Sequence, residues 1–257
     1  MKNKVILGDC LEVMKEIEDN FVDLTVTSPP YDNLRDYNGY SFDFEGIAKE
    51  LFRITKEGGV VVWVVGDATV KGSETGTSFK QALYFKEIGF NLHDTMIWQK
   101  DTFTAVGALI NRYAPVFEYM FILSKGYPKT FNPIKDRKNK TAGCKQHGTI
   151  RNPDGSTKKM STSGNIVRDL GQRYNIWIQP GEKGVNKQNH PAVFPEKLAG
   201  DHIISWSNKG DLVLDIFNGS GTTTKMAKIL GRNYIGIDIS KEYCDIANKR
   251  LEQDVLF

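Results

Sequence analysis

Ser28-Pro29-Pro30-Tyr31 follows the apolar, strand-like run Val22 to Thr27 and joins a hydroxyl, two prolines and an aromatic ring in four residues. Proline has no backbone N–H and its φ is fixed, so the carbonyls around the pair stay rigid and without intrachain donors at a strand's carboxyl end. A planar amino group stacked on Tyr31 suits such a site, with its two hydrogens directed at the Ser28 side chain and at a proline-flanked carbonyl such as that of Pro29. The same four residues also read as a tight turn after a strand. The choice between the two readings rests on what else the chain carries.

A second chemical group lies far along the chain. Asp211 to Thr224 is a hydrophobic strand, a glycine turn and a helix start. Gly219 and Gly221 let the backbone approach a ligand closely, and the helix start offers unpaired N–H groups. The turn lacks the Gly-Lys ending of a phosphate-binding Walker loop and the third glycine of a dinucleotide fingerprint. The next strand ends Gly236-Ile237-Asp238, one βαβ step on, where a carboxylate can accept from ribose hydroxyls. The bland readings are helix caps or turn acceptors for the aspartates and plain core for Phe217.

Periodicity supplies the elements that must hold these groups. Strands are expected at 4–8, 22–27, 59–65, 91–98, 118–123, 212–216 and 234–237. Helices are expected at 10–17, 42–55, 77–88, 195–206, 222–230 and 241–251. This alternation predicts an α/β fold, a mainly parallel sheet with helices on both faces. From Gly126 to about Gln188 the pattern stops, and apolar residues are few outside Ile176-Trp177-Ile178. A stretch of that length without elements is functional or disordered. Trp177 is expected to be either the buried anchor of this stretch or a base-stacking wedge.

Composition narrows the classes. A chain of 257 residues has room for one large domain, or one with a smaller insertion. Its 40% hydrophobic and 25% charged residues are those of a globular protein rather than a disordered one. No apolar run approaches a membrane span and the start is too short for a signal peptide, so a cytoplasmic protein is expected. Cys10, Cys144 and Cys244 have no paired spacing, which supports neither a disulfide framework nor a zinc site. The net charge of +3 is mild but uneven: Lys129 to Lys187 holds 13 Lys or Arg against 4 Asp or Glu, a net of +9. A stretch that attracts phosphates is the sharper reading of that excess, a solvated loop the blander one.

Phe217-Asn218-Gly219-Ser220-Gly221 resembles the Phe-x-Gly-x-Gly cofactor motif of S-adenosylmethionine-dependent DNA amino-methyltransferases, and Thr27-Ser28-Pro29-Pro30-Tyr31 resembles their catalytic motif. Catalytic motif first, basic stretch second and cofactor motif last is the order of the β group of these enzymes. His190-Pro191-Ala192-Val193-Phe194-Pro195 resembles the motif before the cofactor loop, and Gly8-Asp9-Cys10 the segment whose acid meets the cofactor's adenine. The resemblance covers nearly all of the chain outside the basic stretch. It implies a Rossmann-like methyltransferase fold, with a catalytic half at 1–125, a target-recognition insertion at 126–188 and a cofactor-binding half at 189–257. The implied cofactor is S-adenosylmethionine, released as S-adenosylhomocysteine, with no metal. Asp215, Phe217, Gly219, Ser220, Gly221 and Thr222 would shape its methionine end, Asp238 would meet the ribose and Asp9 the adenine, with Phe194 and Pro195 lining the pocket. Double-stranded DNA is the implied partner, and Arg137, Lys138, Arg151, Arg168 and Arg173 are candidates to contact it. A cognate restriction endonuclease and a homodimer are further partners compatible with the family.

Methyl transfer from a sulfonium needs little help for the leaving group, because a neutral thioether departs. The exocyclic amino group of a base is the harder partner, since its lone pair is delocalised into the ring and must be returned to nitrogen. Acceptors at Ser28 and Pro29, with Tyr31 stacked on a base flipped from the duplex, would do this. Methylation at cytosine C5 needs a cysteine nucleophile, and no cysteine here has that setting. Within the family, Ser at the first motif position tends to go with cytosine N4 and Asp with adenine N6. Ser28 therefore implies cytosine N4, with adenine N6, an RNA substrate and a noncatalytic DNA-binding subunit as the alternatives.

Overall fold

The computed structural model describes residues 2–30, 42–101, 112–179 and 195–252. In chain order the first elements are β1 (Lys4–Leu7), α1 (Cys10–Lys15), β2 (Val22–Thr27), α2 (Phe44–Ile54) and β3 (Thr55–Val65). After the small ribbon β4 (Thr69–Val70) and β5 (Ser73–Glu74) come α3 (Thr77–Glu87), β6 (Asn91–Gln99) and β7 (Phe117–Ser124). Four short strands follow, β8 (Arg137–Lys138), β9 (Thr149–Arg151), β10 (Thr157–Lys159) and β11 (Leu170–Gly171). The chain continues with β12 (Ile176–Ile178), α4 (Glu196–Trp206), β13 (Leu212–Asp215), α5 (Thr222–Ile229), β14 (Asn233–Asp238) and α6 (Lys241–Glu252).

Local chemistry sets these bounds. Helix α2 starts where the Asp43 carboxylate accepts from Gly46 N at 3.0 Å, and it buries Ile47, Ala48, Leu51 and Ile54 along one stripe. It stops at Thr55, a β-branched residue in extended backbone that leads directly into β3. Val60 to Val65 are buried on both faces of that strand, as a central strand requires.

Among the described residues eight strands form one sheet in the order β1-β14-β13-β2-β3-β7-β6-β12, in which β7 runs antiparallel to both neighbours and the other pairings are parallel. Helices α1, α2 and α3 share one core with Val61, Trp63, Phe121 and Leu214. The alternate residue Met120 points to the other face, where it meets His202 of α4 at 3.1 Å. The sheet is thus covered on both sides, as the sequence pattern predicts.

Ile176-Trp177-Ile178 departs from expectation. It forms the edge strand β12, parallel to residues 97–99 of β6, and Trp177 is buried against the His202 ring with centroids 4.5 Å apart. The tryptophan is therefore an anchor, but of the main sheet and not of the basic stretch. Contacts divide the chain into one unit of residues 1–132 and 175–257 and a second, smaller unit, Pro133–Tyr174, narrower than the stretch 126–188 marked out by sequence.

Candidate functional site

Strands β13 and β2 are neighbours in the sheet, yet the chain leaves β2 toward β3 and leaves β13 toward β14, on opposite sides. A parallel sheet opens a crevice beyond the carboxyl ends of two such strands. Thr27 ends β2 and Asp215 ends β13, and the Thr27 hydroxyl donates to Asp215 Oδ1 at 2.7 Å in the buried interior. Ser28 and Pro30 then lie half-buried and Pro29 buried, one to three residues past that bond. Tyr31 lies outside the described residues.

The loop after β13 is built by hydrogen bonds of its own. Phe217 N donates to Asp215 Oδ1 at 3.1 Å, Asn218 N to the Ile237 carbonyl at 2.9 Å, and Gly219 N to Asp238 Oδ2 at 2.7 Å. Gly219 and Gly221 have φ of 48° and 81°, and Gly221 is the N-cap of α5. Glycine is required at 221 for space as well, because a Cβ there would sit 2.7 Å from that of Ala247. Thr222, Thr223 and Thr224 open α5 in buried positions, and the Thr223 hydroxyl reaches back to the Val26 carbonyl of β2 at 3.2 Å. The glycine turn is thereby tied to the strand that carries Ser28.

Three carboxylates end up along this edge of the sheet. Asp238, at the end of β14, also accepts from Ser240 N at 2.8 Å. Asp9, just past β1, accepts from Glu12 N at 3.0 Å and so caps α1, the ordinary role that its position allows. Gly8 N donates to the Asp238 carbonyl at 2.9 Å and holds the two strand ends together. Burial pushes the Asp215 carboxyl up to about 6 and the nearby Asp238 charge adds to this, against the donors Thr27, Thr223 and Phe217 N. Burial also raises Asp238, opposed by N–H groups of Ser240, Gly219 and Ile239. Among the described residues, none of Asp9, Asp215 and Asp238 is in an ion pair. Three acids outside any such pair along one edge suit a ligand that is itself cationic and carries hydroxyls.

Phe217 is half-buried and packs on Phe42 and Trp63, with centroids 5.8 Å and 6.4 Å away, so it joins the core while flanking the loop. Pro195 is the buried N-cap residue of α4, and Phe194 lies outside the described residues. Sequence reasoning overlooks Arg250. This α6 residue is nine-tenths buried and donates from Nη1 to the Ser220 carbonyl at 2.7 Å and the Ser220 hydroxyl at 3.0 Å. Its Nη2 meets Glu196 at 2.6 Å, and Glu196 also binds Lys225 at 2.6 Å. Its one sequence signal is a basic residue on the apolar face of the last helix, beside Ala247 and Leu251.

Two of the three cysteines, Cys10 and Cys244, are unsuited to nucleophilic work. Burial, with Asp9 nearby, raises the Cys10 thiol to about 12, and burial with Asp238 and Asp245 raises Cys244 to about 11. Among the described residues no group of three His, Cys, Asp or Glu side chains could hold a metal ion, and no helix is long and apolar enough to cross a membrane.

The basic candidates all lie in the second unit, and two of them are engaged there. Arg137 donates to the Gln172 carbonyl at 2.9 Å and lies over the Tyr174 ring, and Arg173 is paired with Asp136. Lys138, Arg151 and Arg168 are exposed.

Comparison with known proteins agrees with this geometry. The family model described as DNA methylase matches residues 22–249. The chain is 60% identical over 253 residues to the orphan methyltransferase M.BamHII of Bacillus amyloliquefaciens, covering 95% of this chain and 94% of that one. It is 29% identical to the type II methyltransferase M.HpaI of Haemophilus parainfluenzae, over 99% of this chain and 76% of that one. Among solved structures, TTHA0409 of Thermus thermophilus complexed with S-adenosyl-L-methionine superposes with a TM-score of 0.66 at 26% identity, covering 97% of this chain and 93% of that one. The PvuII DNA methyltransferase, at 20% identity, shares the fold with a TM-score of 0.72 over all of this chain and 89% of that one.

Proposed function

This chain belongs to the DNA methylase family of N6 and N4 amino-methyltransferases, and from that premise we propose that it methylates the exocyclic N4 amino group of cytosine in duplex DNA. The enzyme is S-adenosylmethionine-dependent; when bound, the cofactor supplies a methyl group on a sulfonium that leaves as a neutral thioether. The observation that carries the choice of base is Ser28, a neutral hydroxyl where a carboxylate is the alternative, one residue past the Thr27–Asp215 bond.

In this reading the residues divide the work. The Ser28 hydroxyl and the Pro29 carbonyl accept the two amino hydrogens, which draws electron density back to nitrogen and stabilises the positive charge that develops there. Tyr31 stacks on the base, whose extrusion from the duplex costs a few kcal/mol. Thr27 and Thr223 hold the glycine loop against β2, so that cofactor and acceptor strands keep one spacing. Gly219, Ser220, Gly221 and Thr222 offer backbone to the methionine end beside Asp215, Asp238 accepts from ribose hydroxyls, and Asp9 and Pro195 border the adenine. Net positive charge on the cofactor is matched by the three acids.

The test is nucleoside mass spectrometry of mixed-sequence duplex DNA incubated with the enzyme and S-adenosylmethionine. N4-methylcytosine is expected. N6-methyladenine in its place would refute the base assignment and leave the family intact. Ser28→Ala should retain cofactor affinity and lose most turnover.

A further inference from the structure

We propose that the hairpin β4–β5 touches DNA beside the extruded base, with Val70 as a wedge against the base stack and Lys71 on a backbone phosphate. The proposal rests on the DNA methyltransferase reading for its partner and is independent of which base is methylated.

The hairpin stands on the catalytic edge of the sheet. Strand β3 lies beside β2 and parallel to it, with Thr27 paired to Trp63, so both chains leave the sheet at the same end. One leads into the turn with Ser28, and the other becomes the hairpin at Thr69, four residues past Val65. A duplex whose base reaches Ser28 lies across this end of the sheet, over the element that rises one strand away.

An isolated hairpin is marginal in water, and a set of bonds holds this one in a single shape. Thr69 pairs with Glu74 and Val70 with Ser73, which leaves the two-residue loop Lys71-Gly72. Thr75 N donates to the Ala68 carbonyl at 2.9 Å and continues the ladder below. The Asp67 carboxylate accepts from Ser78 N at 2.9 Å and fixes the base of the hairpin to the first turn of α3. Arg112, ahead of β7, donates to the Thr69 hydroxyl at 2.9 Å and to the Gly72 carbonyl at 2.8 Å.

The tip that these bonds support is open and strained. Lys71 and Gly72 have φ of 48° and 83°, the left-handed pair that a tight hairpin loop takes. Asn, Asp or Gly is the residue suited to the first of these positions, and lysine sits there under strain. Strain of this kind gathers where a protein meets its ligand. A Cβ at Gly72 would meet nothing within 4 Å, and Val70 is 55% exposed. Among the described residues Lys71 is in no ion pair. The one carboxylate of the hairpin, Glu74, lies at its base opposite Thr69, so the charge at the tip is positive. Tyr113, next in sequence to Arg112, is 98% exposed. Cations beside uncovered apolar side chains are the complement of nucleic acid, whose phosphates flank apolar base faces. When a base leaves the duplex its neighbours lose a stacking face, and an apolar side chain placed there offsets part of that loss. Valine is stiff about its one side-chain torsion, so it gives up little freedom on insertion.

The test begins by mapping the sites that wild type methylates in duplex DNA. Two duplexes with such a site are then made, one with the target base paired and one with a mismatched base opposite it, which lowers the cost of extrusion. Single-turnover methyl transfer by each variant is read against wild type on the same duplex. Val70→Ala should be slower by on the order of 10-fold on the paired duplex and within about twofold of wild type on the mismatched one, with S-adenosylmethionine affinity and urea midpoint unchanged. Lys71→Gly relieves the turn and should bind the duplex with a salt slope smaller by about 1, at a urea midpoint no lower than that of wild type. Equal slowing of Val70→Ala on the two duplexes, or none on the paired one, would overturn the wedge. An unchanged salt slope in Lys71→Gly would overturn the phosphate contact. Adenine as the mapped target refutes the base assignment alone and leaves this comparison unchanged, whereas wild type inactive on every duplex refutes the duplex substrate and the hairpin's role together.

Discussion

Replacing Arg250 by Met keeps most of the apolar stem and removes the charge that clamps the glycine loop. The guanidinium makes two bonds to Ser220, at 2.7 Å and 3.0 Å, in a buried setting. Hydrogen bonds to a charged group contribute about 1.5–3 kcal/mol each, and a buried carbonyl left without a donor costs about 1–3 kcal/mol. The pair with Glu196 adds little, about 1 kcal/mol or less, because Glu196 is partly exposed and retains Lys225. These terms overlap, and we expect a net loss of about 3 kcal/mol. For a chain of this size that is a fall in Tm of roughly 6–12 °C. Urea denaturation of the apoprotein measures the stability loss. Calorimetric titration with S-adenosylmethionine should show at least tenfold weaker binding, since the cofactor must then order the loop at its own cost. Arg250→Lys, a point charge without the planar fork, should recover part of both. Stability within about 0.5 kcal/mol of wild type, together with unchanged cofactor affinity, would refute the clamp.

Other outcomes follow from the same geometry. With Asp215 raised to about 6, binding of a cationic cofactor should release a proton, and affinity should fall about tenfold per pH unit below that value. Asp215→Asn should flatten the profile. The apoprotein should respond in the opposite sense: the folded carboxyl sits above its ordinary value of 3.8, so its contribution to stability is complete below about 4 and lost as pH rises through about 6. Gly221→Ala combines a φ of 81° with a 2.7 Å clash against Ala247 and should cost more than about 2 kcal/mol. Gly210→Ala, at a φ of 87° in open space, should cost only the backbone strain of about 1 kcal/mol, as measured by the same denaturation. A thiol reagent at neutral pH should label one cysteine per native chain, Cys144, because Cys10 and Cys244 are buried with raised pKa values.

Most of the sheet is readable from sequence because its elements are amphipathic or uniformly apolar. Val22–Thr27 matches its expected bounds, and most other elements end within two residues of theirs. Strand β3 is the exception, starting at Thr55 because α2 passes into it without a turn. The edge strand β12 escapes notice as part of the sheet because three residues carry no periodicity, and their pairing to β6 spans some eighty positions. The paired short strands β8 to β11 escape for a different reason: with no buried residue among them they have no apolar alternation to read, and only turn residues such as Asn152, Asp154 and Gly155 mark them. In the site, motif residues are visible as motifs. The ties between them, Thr27 to Asp215 and Arg250 to Ser220, are not, because hydrogen bonds between distant segments leave no local trace.

The sheet places β14 and β13 between β1 and β2, so two of the last strands to be synthesised separate two of the first. While the chain grows, β1 has no neighbour and β2 keeps one open edge until residues 212–238 emerge. Closure therefore depends on contacts of high sequence separation, which form slowly and leave strand edges exposed in the interval. It also delays the site on the ribosome: the turn bearing Ser28 acquires the carboxylate that braces it only after residue 215 has been made.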